Sequence, residues 1–382
     1  MKKILLTALA LVYYFGVTAI ARADISMTGY QEFFAGSGDQ STQGAVDTST
    51  GTSADKSGFS NGNYTRLIAK ASNTLDSGIE VTGTFTIARD TDNGADAGTD
   101  GITVDQNDLT FSGGFGTIYF GNSASAGTKM HNRTDTIIPT GEPDGGILGH
   151  FYTGGSGNYG AKNEVGYASN YMKVGFMSNN YQGLQVGVSF GPDQRENTAN
   201  ASGQDSEACT AANVTGDACY QDMLDVVVKY STSFDGGSFS ATYGNLTGNT
   251  PMVGTTEYND LESSVITASL TYAGFTLSYM QHEMGDSGEA KSTTDDGDRE
   301  GTKICGKYVA GNFTVGACRV NTSYNETSQS TDNEQKDNMI SAGYNLGGGV
   351  NLEAGYITIE QEDNGTKDTD VDIIFSKVSF GF

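Results

Sequence analysis

The feature that most constrains this fold is a period-two alternation of apolar and polar residues, repeated in short segments. Apolar side chains take nearly every second place in IEVTGTFTI (79–87), SFSATY (238–243) and ITASLTY (266–272), and Thr, Ser, Glu and Gly fill the places between. A period of two is typical of a β-strand with unlike faces. The chain also contains 53 Gly, 20 Tyr and 18 Phe, which favours sheet because Gly weakens helices and aromatics suit pleated surfaces.

Two kinds of spacer separate these segments. Ala273-Gly274 and Gly311-Asn312 have the length of tight turns, whereas long acidic spacers cover 35–62, 90–101, 191–221, 285–300 and 323–335. Short turns at one rim and long loops at the other are typical of an up-and-down antiparallel barrel. We therefore predict an all-β chain with one domain, residues 24–382, and about sixteen strands. The predicted strand starts lie near Ile25, Asn63, Ile79, Ile102, Thr117, Asn163, Gly183, Asp222, Ser238, Leu261, Phe275, Gly301, Phe313, Asn338, Val350 and Thr369.

The first 23 residues have the pattern of a cleaved secretory signal peptide. Lys2 and Lys3 precede an apolar run, and small residues flank Arg22 before Asp24, as in exported proteins. The alternative, a membrane-spanning helix, would need a longer run. Removal of residues 1–23 lowers the formal net charge from −25 to −28, which makes nucleic acid an unfavourable partner.

After Ala23 no apolar stretch is long enough for a spanning helix, so a membrane-embedded form must be a closed transmembrane barrel. Its last strand alternates clearly. Ile374, Val378, Phe380 and the terminal Phe382 are predicted to face lipid, and Lys377 and Ser379 are predicted to face the water-filled side. A soluble β-sandwich or other secreted surface β-protein also alternates and stays an alternative.

Five stretches carry a resemblance to a known family. They are DISMTGYQEFFAG (24–36), GGFGTIYFGN (113–122), NEVGYAS (163–169), SAGYNLGGGVNLEAGY (341–356) and the terminal Phe382. In this order the chain resembles the general diffusion porins of Gram-negative outer membranes, most closely the alphaproteobacterial type. The resemblance implies a sixteen-stranded homotrimeric barrel in outer-membrane lipid that passes small hydrophilic solutes and ions passively. It also implies that Phe382 marks the chain for the barrel-insertion machinery.

The resemblance further implies that the third loop, residues 123–162, folds into the lumen and narrows it. Acidic residues of that loop would then face basic residues of the wall, and alternation aims Tyr119 inward as well. The predicted constriction residues are Asp135, Glu142, Asp144, Arg66, Lys70 and Tyr119. Alternatively, Glu142 and Asp144 are solvated loop charges. Because few basic residues are predicted on the barrel wall and the chain is strongly acidic, we predict cation selectivity.

Four cysteines in an exported chain predict two disulfides. Pairing outward from the Gly311-Asn312 turn sets Cys305 opposite Cys318 on the lumen side, at a closely spaced position of the ladder. Cys209 and Cys219 would close a loop. Metal binding is the alternative for each pair, but no His lies nearby in the sequence.

The sequence predicts no enzyme, cofactor or metal site. The only histidines are His131, His150 and His282, and no nucleophile, base and orienting acid can be assembled around them. Two acidic loops, 90–100 and 293–301, lack the spacing of an EF-hand; weak divalent binding there is an alternative to a solvated surface. A substrate-specific outer-membrane channel is the main alternative to a general pore.

Overall fold

The computed structural model describes residues 24–42, 58–90, 103–132, 134, 137–141, 151, 170–193, 219–291, 298–324, 333–363 and 365–382. Sixteen antiparallel strands pair with their chain neighbours, and β16 pairs with β1, so the sheet closes into a barrel. The strands are β1 (Asp24–Thr42), β2 (Gly58–Thr74), β3 (Glu80–Asp90), β4 (Thr103–Gly113), β5 (Gly116–Ser123), β6 (Tyr171–Met177), β7 (Leu184–Asp193), β8 (Gln221–Phe234), β9 (Gly237–Asn249), β10 (Leu261–Tyr272), β11 (Phe275–Gly285), β12 (Arg299–Ala310), β13 (Phe313–Tyr324), β14 (Asn333–Gly347), β15 (Val350–Asp363) and β16 (Thr366–Gly381). A short helix, α1 (Ala126–Met130), follows β5.

The tight turns are where the sequence predicts them. β10 and β11 join through Ala273 and Gly274, with φ angles of 48° and 87°. Two consecutive positive φ angles match the right-handed twist of the flanking strands. Gly311 also has a positive φ, 61°, at the turn between β12 and β13. The predicted strand number and fold class are thus confirmed.

Three described strand starts lie more than three residues from the predicted positions. β2 and β14 begin at Gly58 and Asn333, five residues before the predicted Asn63 and Asn338. The first residues of β14 are polar on both faces, and Phe59 is the only large apolar residue among the first five of β2, so apolar alternation cannot reveal either start. The predicted sixth start, Asn163, lies outside the described residues, and the described strand begins at Tyr171. The predicted signal peptide, residues 1–23, lies outside them as well.

The two faces of the strands differ sharply in exposure. On β16, Ile374, Val378 and Phe380 are 63%, 43% and 42% exposed, whereas Lys377 is 7% exposed. The exposed apolar side chains of the other strands continue this outer band, as expected for a lipid-facing surface. The predicted lipid face of the last strand is therefore confirmed. Among the described residues, helices offer no span long and apolar enough to cross a membrane.

The inner face is less polar than the alternation predicts. One buried apolar cluster includes Ile357, Ile359 and Ile373 on the wall and Ile138 and Phe151 from the segment after β5. A second inner cluster joins β6, β8–β11 and β13, and includes Leu246, Leu261, Val265 and Met280. The inner face therefore carries apolar clusters beside its polar side chains.

Candidate functional site

The two predicted basic wall residues lie on β2. Phe33, which is 51% exposed on the outer face, pairs with Asn63 across β1 and β2, so Arg66 and Lys70 lie on the inner face. The Arg66 guanidinium forms an ion pair with Asp105 of β4, and both side chains are about a quarter exposed. Lys70 is exposed. The other predicted charged residues, Asp135, Glu142 and Asp144, lie outside the described residues.

Two acidic wall residues were missed by sequence reasoning. Asp105 pairs with Arg66 and accepts a hydrogen bond of 2.9 Å from Asn170 Nδ2. Asp108 accepts a hydrogen bond of 2.5 Å from Ser123 Oγ. The ladder between β3 and β4 shifts register beside Asp105, and an extra residue at such a bulge has no face that alternation can assign. Asp108 follows the alternation. Its neighbour Leu109 points outward, so Asp108 must point inward, and alternation could have identified it.

Tyr119 is the predicted inward aromatic, and its ring is 1% exposed. Lys129 of α1 places Nζ 4.7 Å from the ring centroid and 3.9 Å from Asp108 Oδ2. On β6, Gly175 lies directly opposite Tyr119, and a Cβ there would sit 2.1 Å from the tyrosine ring. The glycine therefore makes room for the ring. The sequence did not predict α1 or a role for Lys129.

Helix α1 is held against β7 and β8 by polar groups of the wall. Ser189 Oγ accepts from the Ala126 N–H at 3.1 Å, and Asp225 Oδ2 accepts from the Gly127 N–H at 2.6 Å. A carboxylate at this end is favoured because the first N–H groups of a helix have no partner within it. At the other end, Lys229 Nζ donates to the Met130 carbonyl at 3.0 Å.

His131 continues this line of contacts after the helix. Its Nδ1 lies 2.8 Å from Thr242 Oγ1 on β9, and the next residue, Asn132, accepts from Ser240 Oγ at 2.8 Å. Burial, with a smaller contribution from the positive charge of Lys229, lowers the pKa of His131 to about 4. The imidazole is therefore neutral at pH 7.

The same segment then lies on the wall of β13, β14 and β16. A Cβ on Gly316 of β13 would sit 2.5 Å from Ile138 Cγ2, and one on Gly343 of β14 would sit 2.8 Å from Pro139 Cβ. Lys377 Nζ of β16 lies 3.4 Å from the Thr140 carbonyl oxygen. Glycines at these inner positions thus allow the segment to pack closely against the wall.

The predicted pairing of Cys305 with Cys318 is confirmed. The two residues lie directly opposite each other on β12 and β13, with Cα atoms 4.1 Å apart, and they form a disulfide. Both are buried on the inner face within the apolar cluster that includes Ile138. Cys219 is buried and disulfide-bonded, and its predicted partner Cys209 lies outside the described residues.

The inner wall is covered unevenly. Met339 of β14 and Ile373 of β16, both on the inner face, are 2% and 0% exposed. On β3 and β4, Thr84 and Thr110 keep intermediate exposure. The part of the wall that stays open to solvent thus carries the Arg66–Asp105 pair and a set of threonine hydroxyls.

Two histidines of the described chain are accounted for by wall contacts. His131 contacts Thr242, and His282 Nε2 lies 3.2 Å from Ser263 Oγ; His150 lies outside the described residues. Within the part of the chain that the structure describes, no three His, Cys, Asp or Glu side chains are grouped so that they could hold a metal ion.

Comparisons with known proteins agree with this architecture. A family model described as Gram-negative porin matches residues 6–364, and no curated protein sequence matches the chain. OmpF of Salmonella typhi, solved in complex with daunomycin, has a TM-score of 0.64 at 12% identity over 95% of this chain and 99% of its own. An anion-selective porin from Comamonas acidovorans has a TM-score of 0.62 at 12% identity over 94% and 100%.

OmpT of Vibrio cholerae, an outer-membrane protein solved in a trimer form, has a TM-score of 0.55 at 12% identity over 94% and 99% of the two chains. At such identities these structures establish a shared barrel fold, and the family model covers nearly the whole sequence. The chain therefore belongs to the Gram-negative porin family.

Proposed function

We propose that this porin is a cation-preferring outer-membrane channel through which small hydrophilic solutes and ions diffuse passively, without catalysis. The observation that carries the proposal is the uneven inner wall: the side of β2–β4 is open and polar, whereas β14–β16 are covered. A polar, solvated passage inside a barrel with an apolar outer band is what a diffusion channel requires.

The third loop is proposed to fold into the lumen and to narrow this passage. Its described residues support that course, because they contact inner positions from β7, through Ser189, to β16, through Lys377. We propose that Asp135, Glu142 and Asp144 of this loop face Arg66 and Lys70 across the open side, with Tyr119 holding the base of the loop beside Lys129.

Cation preference is proposed from the charge balance. The mature chain has a formal charge of −28 once residues 1–23 are removed, and such a charge concentrates cations at the mouth of a pore. Two cations near the passage have an acidic neighbour: Arg66 pairs with Asp105, and Lys129 lies beside Asp108. Since an anion-selective porin shares the fold, the charges rather than the barrel must decide the sign.

Reversal potentials test this proposal directly. The purified protein is inserted into a planar bilayer between unequal KCl solutions, and the sign of the zero-current potential is read. We expect the potential of a potassium-preferring channel. A chloride-preferring pore would contradict the proposed selectivity, and failure to conduct would contradict the channel itself.

We further propose that the protein is exported by a cleaved signal peptide, residues 1–23, that the insertion machinery recognises Phe382, and that three copies assemble. A trimer form of OmpT supports the last point only through the shared fold. Chemical cross-linking should give a ladder that ends at three copies, and heating before gel electrophoresis should shift the folded barrel to a different mobility. A ladder that ends at one copy would contradict the trimer.

A substrate-specific channel is the second candidate. The rings of Tyr30 and Tyr64 lie 5.5 Å apart on the inner wall, next to Arg66, and an aromatic pair beside a guanidinium can bind a sugar or a planar anion. Liposome swelling separates the two functions. A general pore should rank solutes by size alone, whereas a specific channel should favour one solute over others of equal size.

A further inference from the structure

The seam between β1 and β16 is where the first and last strands of the chain meet. Their ladder runs from the pair Tyr30 and Gly381 to the pair Thr42 and Thr369. Beyond it, Gly29 and Phe382 exchange two backbone hydrogen bonds of 2.9 and 3.0 Å. Because the paired residues are separated by nearly the whole chain, this seam bears the largest loop-closure entropy of the barrel.

A buried lysine lies on the inner side of this seam. Lys377 of β16 places Nζ 3.1 Å from Glu32 Oε1 of β1 and 2.9 Å from Glu353 Oε2 of β15. Its side chain is 8% exposed, and its third partner is the Thr140 carbonyl of the third loop, at 3.4 Å. A buried ammonium needs such partners, because a charge taken out of water is costly unless it is paired and hydrogen-bonded.

An aromatic contact crosses the seam beside Lys377. The ring of Phe151, from the third loop, lies 6.3 Å from Phe34 of β1, edge to face, and 6.3 Å from Phe375 of β16, stacked. All three rings are at most 5% exposed. Gly38 of β1 allows this approach, since a Cβ there would sit 2.8 Å from the Phe151 carbonyl oxygen.

We propose that the third loop acts as a clasp on the barrel seam, with Thr140 and Phe151 holding β1 and β16 together through Lys377, Phe34 and Phe375. The same residues position the loop, so that packing of the loop on the wall and pairing of β1 with β16 stabilise each other. Each contact joins the loop to both strands of the seam, directly or through Glu32, and neither would arise from the strand ladder alone. The proposal is independent of ion selectivity.

Peptide-resolved hydrogen exchange of the folded protein in detergent micelles tests the clasp. Phe151→Ala alters a loop residue and leaves every strand residue intact. We expect amides of 33–37 and 374–378 to exchange about tenfold faster, as for loss of one buried ring contact. Amides of 226–230 on the far wall should be unchanged. Phe275→Ala, which removes a ring 4.3 Å from Tyr308 on the outer face, is the matched control and should not affect the seam.

Lys377→Met provides the independent measurement. It should accelerate the same seam amides, Lys377→Arg should restore part of their protection, and Lys367→Met, on an exposed ion pair of the same strand, should leave them unchanged. If Phe151→Ala does not assemble, Phe151→Leu is measured instead, with a smaller acceleration expected at the same amides. Faster exchange confined to the loop, or uniform around the barrel, would overturn the proposal.

Discussion

Replacement of Asp105 by asparagine should reduce the preference of the channel for cations. Asp105 forms the ion pair with Arg66 on the open side of the inner wall, and the two side chains are 28% and 25% exposed. Asp105→Asn keeps the shape of the side chain and removes one negative charge. Arg66 then becomes an unpaired cation beside the passage, which repels potassium and attracts chloride.

The size of this effect follows from Coulomb's law. For an ion that passes the lost charge at an assumed distance of about 6 Å in water, the charge is worth about 0.7 kcal/mol, with opposite sign for potassium and chloride, so the difference between the two ions is about 1.4 kcal/mol. A Debye length of about 10 Å at 0.1 M salt reduces this difference to about 0.8 kcal/mol, or a roughly fourfold change in the permeability ratio. At 1 M salt, where the Debye length is about 3 Å, the change falls to about 1.4-fold.

Reversal potentials in planar bilayers at the two salt concentrations measure this ratio. Asp370→Asn is the matched control, because Asp370 loses the same charge from an exposed pair with Lys367 on the outer side of β16. It should change the ratio little at either concentration. An unchanged ratio for Asp105→Asn at 0.1 M, or a stronger cation preference, would refute the placement of this pair beside the ion path.

Three further predictions concern stability and assembly. The double variant Cys305→Ser, Cys318→Ser should lower the free energy of unfolding by about 3 kcal/mol, because the disulfide no longer restricts the unfolded chain. Denaturant midpoints measure this loss, and an unchanged midpoint would contradict it. His131 has a pKa of about 4 when folded and about 6.5 when unfolded, so the unfolded chain binds more protons between these values. The free energy of unfolding should therefore fall by up to about 3 kcal/mol as the pH drops from 6.5 to 4. Unfolding measured across this pH range should show that His131→Gln loses this decrease. An equally large decrease in the variant would show that His131 is not its cause. Deletion of Phe382 should lower the amount of heat-modifiable barrel in membranes, with normal assembly of the truncated chain as the contradicting result.

Local rules identify much of the fold because a barrel repeats one local interaction. Alternation located the strands and assigned Lys377 and Val378 to opposite faces, since successive side chains of a strand must point to opposite sides. The Gly311-Asn312 turn set the register of its hairpin, and that register alone placed Cys305 against Cys318. Such inferences need only residues close in sequence.

By itself, then, the sequence determined the all-β class, the number of strands, the lipid-facing side of the barrel and one disulfide. Only the tertiary structure decided which inner side chains meet the third loop. The pairing of Arg66 with Asp105 depends on a bulge, and the contact of Phe151 with Phe34 and Phe375 joins segments far apart in the chain. Alternation states which way a side chain points, but the partner that it finds there depends on strand register and loop course, which are set by packing across the whole barrel.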